Sequence, residues 1–405
     1  MTQAMPVPAP AHPLLVRHRT PGLDVTGLHA APYREWHLTL RPLPGEAPAA
    51  TAVRLAAALR QTGAAVVRHE VFGSLAARVE TLHSLERELG AVDWPVMWAD
   101  GRASAGGALA GMHVFAVAGV AVRTVHFAGR PIGRVFHDGR ARHCLLGDVR
   151  SADLSAPKIT QAQATFESLE KALGEAGMNL AHVARTSFLL DDILSWYGPF
   201  NTVRTDFFRQ RQVFNGLVPA STGVGSRNPA GAAVVAGAWA VQGADGSAPG
   251  REVPSPLQCP APDYGSSFSR AVQLAAPGGR RLLLSGTASI APDGRSAHFG
   301  DPDRQVALSL EVVEAILASR GLGFADVTRM TAYCKRLEDA SVFEAWIARR
   351  GLDFLPRLAT QADICRDELL FEVELDAVGP AAEPRQGPWA TGDWAFGGRS
   401  DSANT

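Results

Sequence analysis

Two stretches of this chain, residues 166–189 (FESLEKALGEAGMNLAHVARTSFL) and 310–333 (LEVVEAILASRGLGFADVTRMTAY), run in register without a gap. Gly177 falls on Gly321, Val183 on Val327 and Arg185 on Arg329. In both copies apolar positions step along one helical face: Val306, Leu310, Val313 and Leu317 in the later, Phe166, Leu169 and Leu173 in the earlier. Each helix reaches a glycine, a short turn follows, and an apolar strand begins. A chain that repeats a supersecondary unit packs like units against one another, so this repeat constrains the architecture more than any single motif does.

After each repeated strand comes a second helical stretch, 193–211 in one copy and 340–350 in the other. A proline-led loop follows (VPASTGVG from Val218, LPRLATQAD from Leu355), then a closing strand at 232–241 or 369–378. A fainter copy precedes these two. It has a helix over 52–60 reaching Gly63, a strand in AAVVRHEVF, a helix over 74–89, the loop WPVMWADG from Trp94, and a closing strand MHVFAVAG from Met112. The turns AGRPIG, HDGR and PGGRR mark further strands between 120 and 146 and between 264 and 290. The pattern predicts an α+β fold of three αβ units, each a small mixed sheet with two helices on one face, arranged as a pseudo-trimer within one chain. The expected boundaries are a loose leader over 1–30, units over 31–118, 119–243 and 263–379, a Gly/Pro/Ser-rich linker over 244–262, and a flexible tail over 380–405 that carries Trp389 and Trp394.

The chain has 405 residues, 46% hydrophobic and 20% charged, with a formal net charge of -1. This is enough material for several cores and gives no electrostatic reason to bind nucleic acid. No apolar run is long enough to span a bilayer, and the first residues carry no charged-then-apolar signal pattern. Cys144, Cys259, Cys334 and Cys365 lie far apart without a CxxC pair, which argues against a zinc site or redox dithiol and fits a reduced, cytoplasmic setting. His137 and His143 flank a turn without a third metal ligand, and GVGSRNPAG from Gly223 lacks the ending of a phosphate loop.

The chemistry is expected in QADICRDELLFEVELDA, residues 361–377. Here a loop carrying Cys365 and Arg366 enters an alternating strand with Phe371, Val373, Leu375 and Ala377 on one face and Glu372, Glu374 and Asp376 on the other. A wet sheet face would explain such acids. Buried under a neighbouring unit, Glu372 would instead have its pKa raised by desolvation and by the like charge of Glu374, and become a proton donor. Aligning the closing strands on Ala240 and Ala377 puts Val235 at the position of Glu372 and Gly237 at that of Glu374; the first copy offers Phe115 and Val117. Only the last copy keeps its acids, which predicts one site rather than three.

These residues carry a resemblance. SGTASI from Ser285, HFGD from His298, GLGFADVTRMTAY and QADICRDELLFEVE resemble the Rid (YjgF-like) family of reactive-intermediate deaminases, homotrimers of chorismate-mutase-like fold with sites between subunits. The fused chain is similar to the chorismatases, single chains of Rid-like units that act on chorismate without a cofactor and release pyruvate. The resemblance implies Glu372 as the catalytic acid, with Gly286 and Cys365 as the pocket positions that steer the product. Glycine with cysteine there is similar to the branch that makes 3-hydroxybenzoate, whereas the branch that releases a dihydroxycyclohexadiene acid tends to carry alanine at both. The segment LLDDILSWYGPFNTVRTDFF in the second copy departs from both branches, while ASTGVG from Ala220 resembles the family's loop.

An enol ether is cleaved by protonating its methylene carbon, so the donor must be aimed and still protonated near neutral pH. Cys365 would contact the ring and assist proton movement, or be a small buried hydrophobe. A substrate with two carboxylates needs forked cations. Arg366 and Arg211 are the leading candidates, with Arg204, Arg329 and Arg357 behind them. Thr222 and Gly223 would donate a hydroxyl and a backbone N–H, Tyr333 would line the wall, and Gln361 stands at the head of the loop. The expected partner is a small-molecule substrate of a monomeric chain with internal pseudo-threefold packing. The alternatives are a Rid-like hydrolase of enamines or imines and a non-catalytic binder of a small aromatic acid.

Overall fold

A computed structural model describes residues 15–102 and 106–381. Most of the expected tail lies outside the described residues, as do residues 1–14 of the expected leader. Three six-stranded mixed sheets are built in the same strand order. The first unit has β1 (Leu15–Thr20), β2 (Leu23–Ala30), β3 (Tyr33–Leu40), α1 (Pro48–Thr62), β4 (Ala65–Gly73), α2 (Arg78–Leu89), β5 (Val96–Ala99) and β6 (Leu109–Ala118), ordered β1-β2-β3-β6-β4-β5. The second repeats this with β7 (Arg123–Phe127), β8 (Arg130–His137), β9 (Ala141–Val149), α3 (Lys158–Glu175), β10 (Val183–Leu190), α4 (Tyr197–Gln210), β11 (Ala220–Gly225) and β12 (Val234–Gly243). The third has β13 (Gly250–Val253), β14 (Ala271–Ala276), β15 (Gly279–Ala288), α5 (Pro302–Ala318), β16 (Val327–Cys334), α6 (Ala340–Arg349), β17 (Arg357–Gln361) and β18 (Phe371–Pro380).

The repeat seen in the sequence is a helix, a left-handed glycine and a strand. α3 and α5 are followed by Gly177 and Gly321 at φ 67° and 61°, then by one short 3-10 turn before β10 or β16. Positive φ is where glycine replaces any L side chain at little steric cost. Asp301 caps α5 by accepting from the Arg304 N–H at 3.0 Å.

Three expectations are corrected. Residues 15–30 are not a leader: β1 and β2 complete the first sheet, and Leu15 and Leu28 pack on Val378 of the third unit. The linker over 244–262 contains β13, which pairs with β14 as the edge strand of the third sheet. The three proline-led loops hold β5, β11 and β17, each pairing parallel with β4, β10 or β16. A buried loop must satisfy its N–H and C=O groups, and the sheet edge does this for all three.

Each unit has its own core between sheet and helices, while the opposite sheet faces meet in shared cores. One of these joins Phe115, Trp239 and Leu283 from the three units. No helix among the described residues is long and apolar enough to cross a membrane.

Candidate active site

The acid face of β18 is not wet. Glu372, Glu374 and Asp376 are 5%, 2% and 0% exposed, so each needs a physical account of its charge. Asp376 receives one arginine from every unit: Arg68 at 2.9 Å, Arg185 at 2.6 Å and Arg329 at 2.8 Å. These arginines occupy equivalent positions, opposite Phe115, Trp239 and Asp376 on the closing strands. Glu374 pairs with Arg185 and, at 2.8 Å, with Arg329, and accepts from the Thr222 hydroxyl at 2.5 Å. Burial would raise the Glu374 and Asp376 carboxyls, but the arginines overcome it and hold both below the usual carboxylate range.

Glu372 is treated differently. No side chain among the described residues forms an ion pair with it, and burial, then the Glu374 charge, push its pKa up to about 8 against the opposing pull of Arg270. One strand thus holds two fixed carboxylates and one carboxylic acid at neutral pH.

The acid sits against Gly286, which lies where β15 bulges away from its register with β18 between Leu284 and Thr287. A Cβ at Gly286 would stand 1.9 Å from Glu372 Oε1, so only glycine leaves the carboxyl its place. The bulge frees the Gly286 N–H from the ladder, and it donates to Thr222 Oγ1 at 3.0 Å.

Around Glu372 the second and third units enclose a pocket. The second contributes Tyr197 and Arg204 from α4 and Ser221 and Gly223 from β11. The third contributes Tyr264, Phe268, Arg270, Gly286, Cys365 and Arg366. Arg204 and Arg270 are 2% and 4% exposed. Arg204 donates to Asn201 Oδ1 at 2.7 Å and lies between the rings of Phe200 and Phe268, both at 5.8 Å. Arg270 donates to the Cys259 carbonyl at 2.9 and 3.1 Å and stacks on Tyr264 and Phe268. Arg366 donates to the Gly294 carbonyl at 3.0 Å and covers Tyr264 at 5.3 Å. Among the described residues none of the three has a carboxylate partner, in contrast to Arg68, Arg185 and Arg329. Burial and the neighbouring Glu372 push the Cys365 thiol up to about 12, so it is a protonated, compact wall rather than a thiolate.

The pocket brings together Glu372, Cys365, Arg366, Gly286, Gly223 and Arg204 of the residues expected from the sequence. Others go elsewhere. Arg211 is on the surface, paired with Glu170 at 2.9 Å. Gln361 lines a separate cleft with Asp100 and Arg227. Tyr333 faces a second, small cavity and reaches Glu374 at 3.3 Å. Arg329 is spent on the internal carboxylates, and Arg357 pairs with Glu344 on its own unit. The Thr222 hydroxyl is engaged by Glu374 and Gly286 and is not open to a ligand. Sequence reasoning missed Tyr197 and Arg270. Tyr197, Asn201 and Arg204 recur at i, i+4 and i+7 on α4, a helical-face signal that could have been read. Arg270 has no periodic signal, since the path of the loop just before it turns its guanidinium onto the Cys259 carbonyl and the Tyr264 and Phe268 rings.

The register also corrects the first copy's alignment: opposite Phe72 and Glu70, the equivalents of Glu372 and Glu374 are Gly111 and His113, not Phe115 and Val117. At the other two interfaces the room is filled. Met97 of β5 lies where a Cβ on Gly237 would come within 2.7 Å of its sulfur, and Leu358 of β17 where one on Gly111 would come within 2.5 Å.

No family model matches the chain. A chorismatase from Streptomyces hygroscopicus is 31% identical over 116 residues, 26% of this chain and 33% of that protein, so the match spans about a third of the curated relative. A crystal structure of a chorismatase superimposes with a TM-score of 0.60 at 19% identity, covering 77% of this chain and 92% of that one. A Rid-family protein from Yersinia pestis, 20% identical, covers 32% of this chain and 98% of its own with a TM-score of 0.27. The chain therefore has the chorismatase fold and, over part of its length, is a sequence relative of a chorismatase.

Proposed function

We propose that the chain cleaves the enolpyruvyl ether of chorismate, or of a close analogue, to pyruvate and a hydroxybenzoate, with Glu372 as the proton donor. The observation that carries this is the charge pattern of the pocket: two buried arginines and a third at its edge, without carboxylate partners among the described residues, surround a carboxylic acid with a pKa near 8. Buried cations without counter-ions are costly, and a dianionic substrate removes that cost on binding. Substrate carboxylates pair with Arg204, Arg270 and Arg366, the ring lies along Phe268, Tyr264 and Cys365, and Glu372 delivers its proton to the methylene carbon of the enol ether. The oxocarbenium ion so formed is captured by water, and the hemiketal collapses by breaking its bond to the ring oxygen and releases pyruvate. The ring then loses the hydrogen beside that oxygen as a proton and its neighbouring hydroxyl as water to become aromatic, returning the water consumed. The atoms of chorismate are those of pyruvate plus a hydroxybenzoate, so the net reaction needs neither oxidant nor added water. The pairing of Gly286 with Cys365 favours 3-hydroxybenzoate.

The test is a pyruvate assay on purified protein with chorismate, Glu372→Gln alongside, and chromatography of the aromatic product. The expected result is pyruvate and a hydroxybenzoate from the wild type, and loss of both in Glu372→Gln. Wild-type pyruvate release at the uncatalysed rate overturns the proposal.

A further inference from the structure

Position 222 has an equivalent in each unit. By register Thr222 lies opposite Ser187, Met97 opposite Glu70 and Leu358 opposite Thr331, and these partners are themselves equivalent on β10, β4 and β16. Each of the three reaches into the neighbouring unit. Met97 sits close to Gly237 and Gly147, and Leu358 close to Gly111, so two interfaces are packed with apolar volume against glycine. Thr222 reaches the same place beside Gly286 and Glu374, with a hydroxyl and one methyl instead of a long side chain.

We infer that Thr222 is the positioning residue that makes this interface, and neither of the other two, a site. Its small size leaves the Glu372 carboxyl its place beside Gly286, where a side chain as long as Met97 or Leu358 would press on both; Thr222 itself lines the small cavity behind the acid, with Met97 and Tyr333, and not the pocket. Its hydroxyl accepts from the Gly286 N–H at 3.0 Å and donates to Glu374 at 2.5 Å, tying the second unit to the glycine under the acid and to the fixed charge beside it. Arg185, also from the second unit, approaches the same oxygen at 3.4 Å. The acid of one unit is therefore held in place by the next. Thr222 acts through Gly286 and Glu374 rather than on substrate, and this role rests on the proposed assignment of Glu372.

Three variants separate size from hydrogen bonding: Thr222→Ser keeps the hydroxyl, Thr222→Val keeps the shape, and Thr222→Met imports the residue of the first unit. Isophthalate, a stable aromatic dianion, serves as the probe for binding by calorimetry, and pyruvate release reports turnover. Thr222→Val should bind isophthalate within a few-fold of wild type, because the arginines are untouched, yet lose about 10- to 100-fold in kcat as the charged hydrogen bond is lost. Thr222→Ser should recover most of that loss, and Thr222→Met should fold but bind no isophthalate. Unchanged kcat in Thr222→Val, or wild-type isophthalate binding by Thr222→Met, overturns the inference. If the wild type itself releases no pyruvate, the chorismate reading fails separately. The inference then stands or falls on Thr222→Met binding and on a crystal structure of Thr222→Val, where an unmoved Gly286 and Glu372 would overturn it.

Discussion

Replacing Glu372 by glutamine should stabilise the protein, and by an amount that grows with pH. A glutamate with an ordinary pKa near 4.5 is about 0.3% protonated at pH 7, whereas one near 8 is roughly nine-tenths protonated. That difference is what the proposed chemistry uses, and folding stability bears its cost. The folded pKa is raised above the unfolded one, so between them the unfolded chain releases a proton that the folded chain keeps. The stability contribution of this group is present in full below about pH 4.5, declines as pH rises, and is gone once pH passes through about 8. The interval of about 3.5 pH units corresponds to about 5 kcal/mol at most. Glutamine has nothing to titrate, so the stability of Glu372→Gln relative to wild type should rise by about 4 kcal/mol between pH 5 and pH 9, whatever constant offset the substitution adds. Urea denaturation at pH 5, 7 and 9 measures this directly. A stability difference that is flat across the three would show that Glu372 titrates normally and would remove the basis of the proton-donor assignment. The same titration predicts that wild-type kcat is level near pH 6 and falls about tenfold per unit above pH 8.

Arg204→Gln and Arg270→Gln should each weaken isophthalate binding and raise KM for chorismate by roughly 10- to 100-fold, since each removes a charged hydrogen-bond donor from a dry pocket. Calorimetry and initial rates measure this, and unchanged affinity in both would exclude a dianion from the pocket. Arg211→Ala should leave kcat/KM and stability unchanged within error, because its pair with Glu170 lies on the surface, where solvent and salt screen it. Asp376→Asn should destabilise the fold by about 3 to 5 kcal/mol in urea denaturation, because the buried Arg185 and Arg329 and the partly buried Arg68 lose their shared counter-charge.

The repeat of helix, glycine and strand was legible in the sequence because its causes are local: apolar positions at helical spacing, Gly177 and Gly321 at left-handed turns, and alternation in β18. The same alternation put Glu372, Glu374 and Asp376 on one face, and their absence from the other copies predicted a single site. Local rules could not say that this face is dry, because that depends on sheet faces from three units closing over it. Nor could they separate a free arginine from a spent one. Arg204 and Arg329 look alike in sequence; one lines a pocket with no carboxylate partner among the described residues, and the other lies 2.8 Å from Asp376. The edge strands β5, β11 and β17 read as loops because their prolines and glycines suit a turn, and pairing with a strand distant in sequence decides otherwise. What the sequence determined by itself was the unit, its repetition and the three acids on one face of the last strand. The tertiary structure alone decided which charges are neutralised and which interface stays open, because burial and pairing are properties of chain segments brought together from all three units.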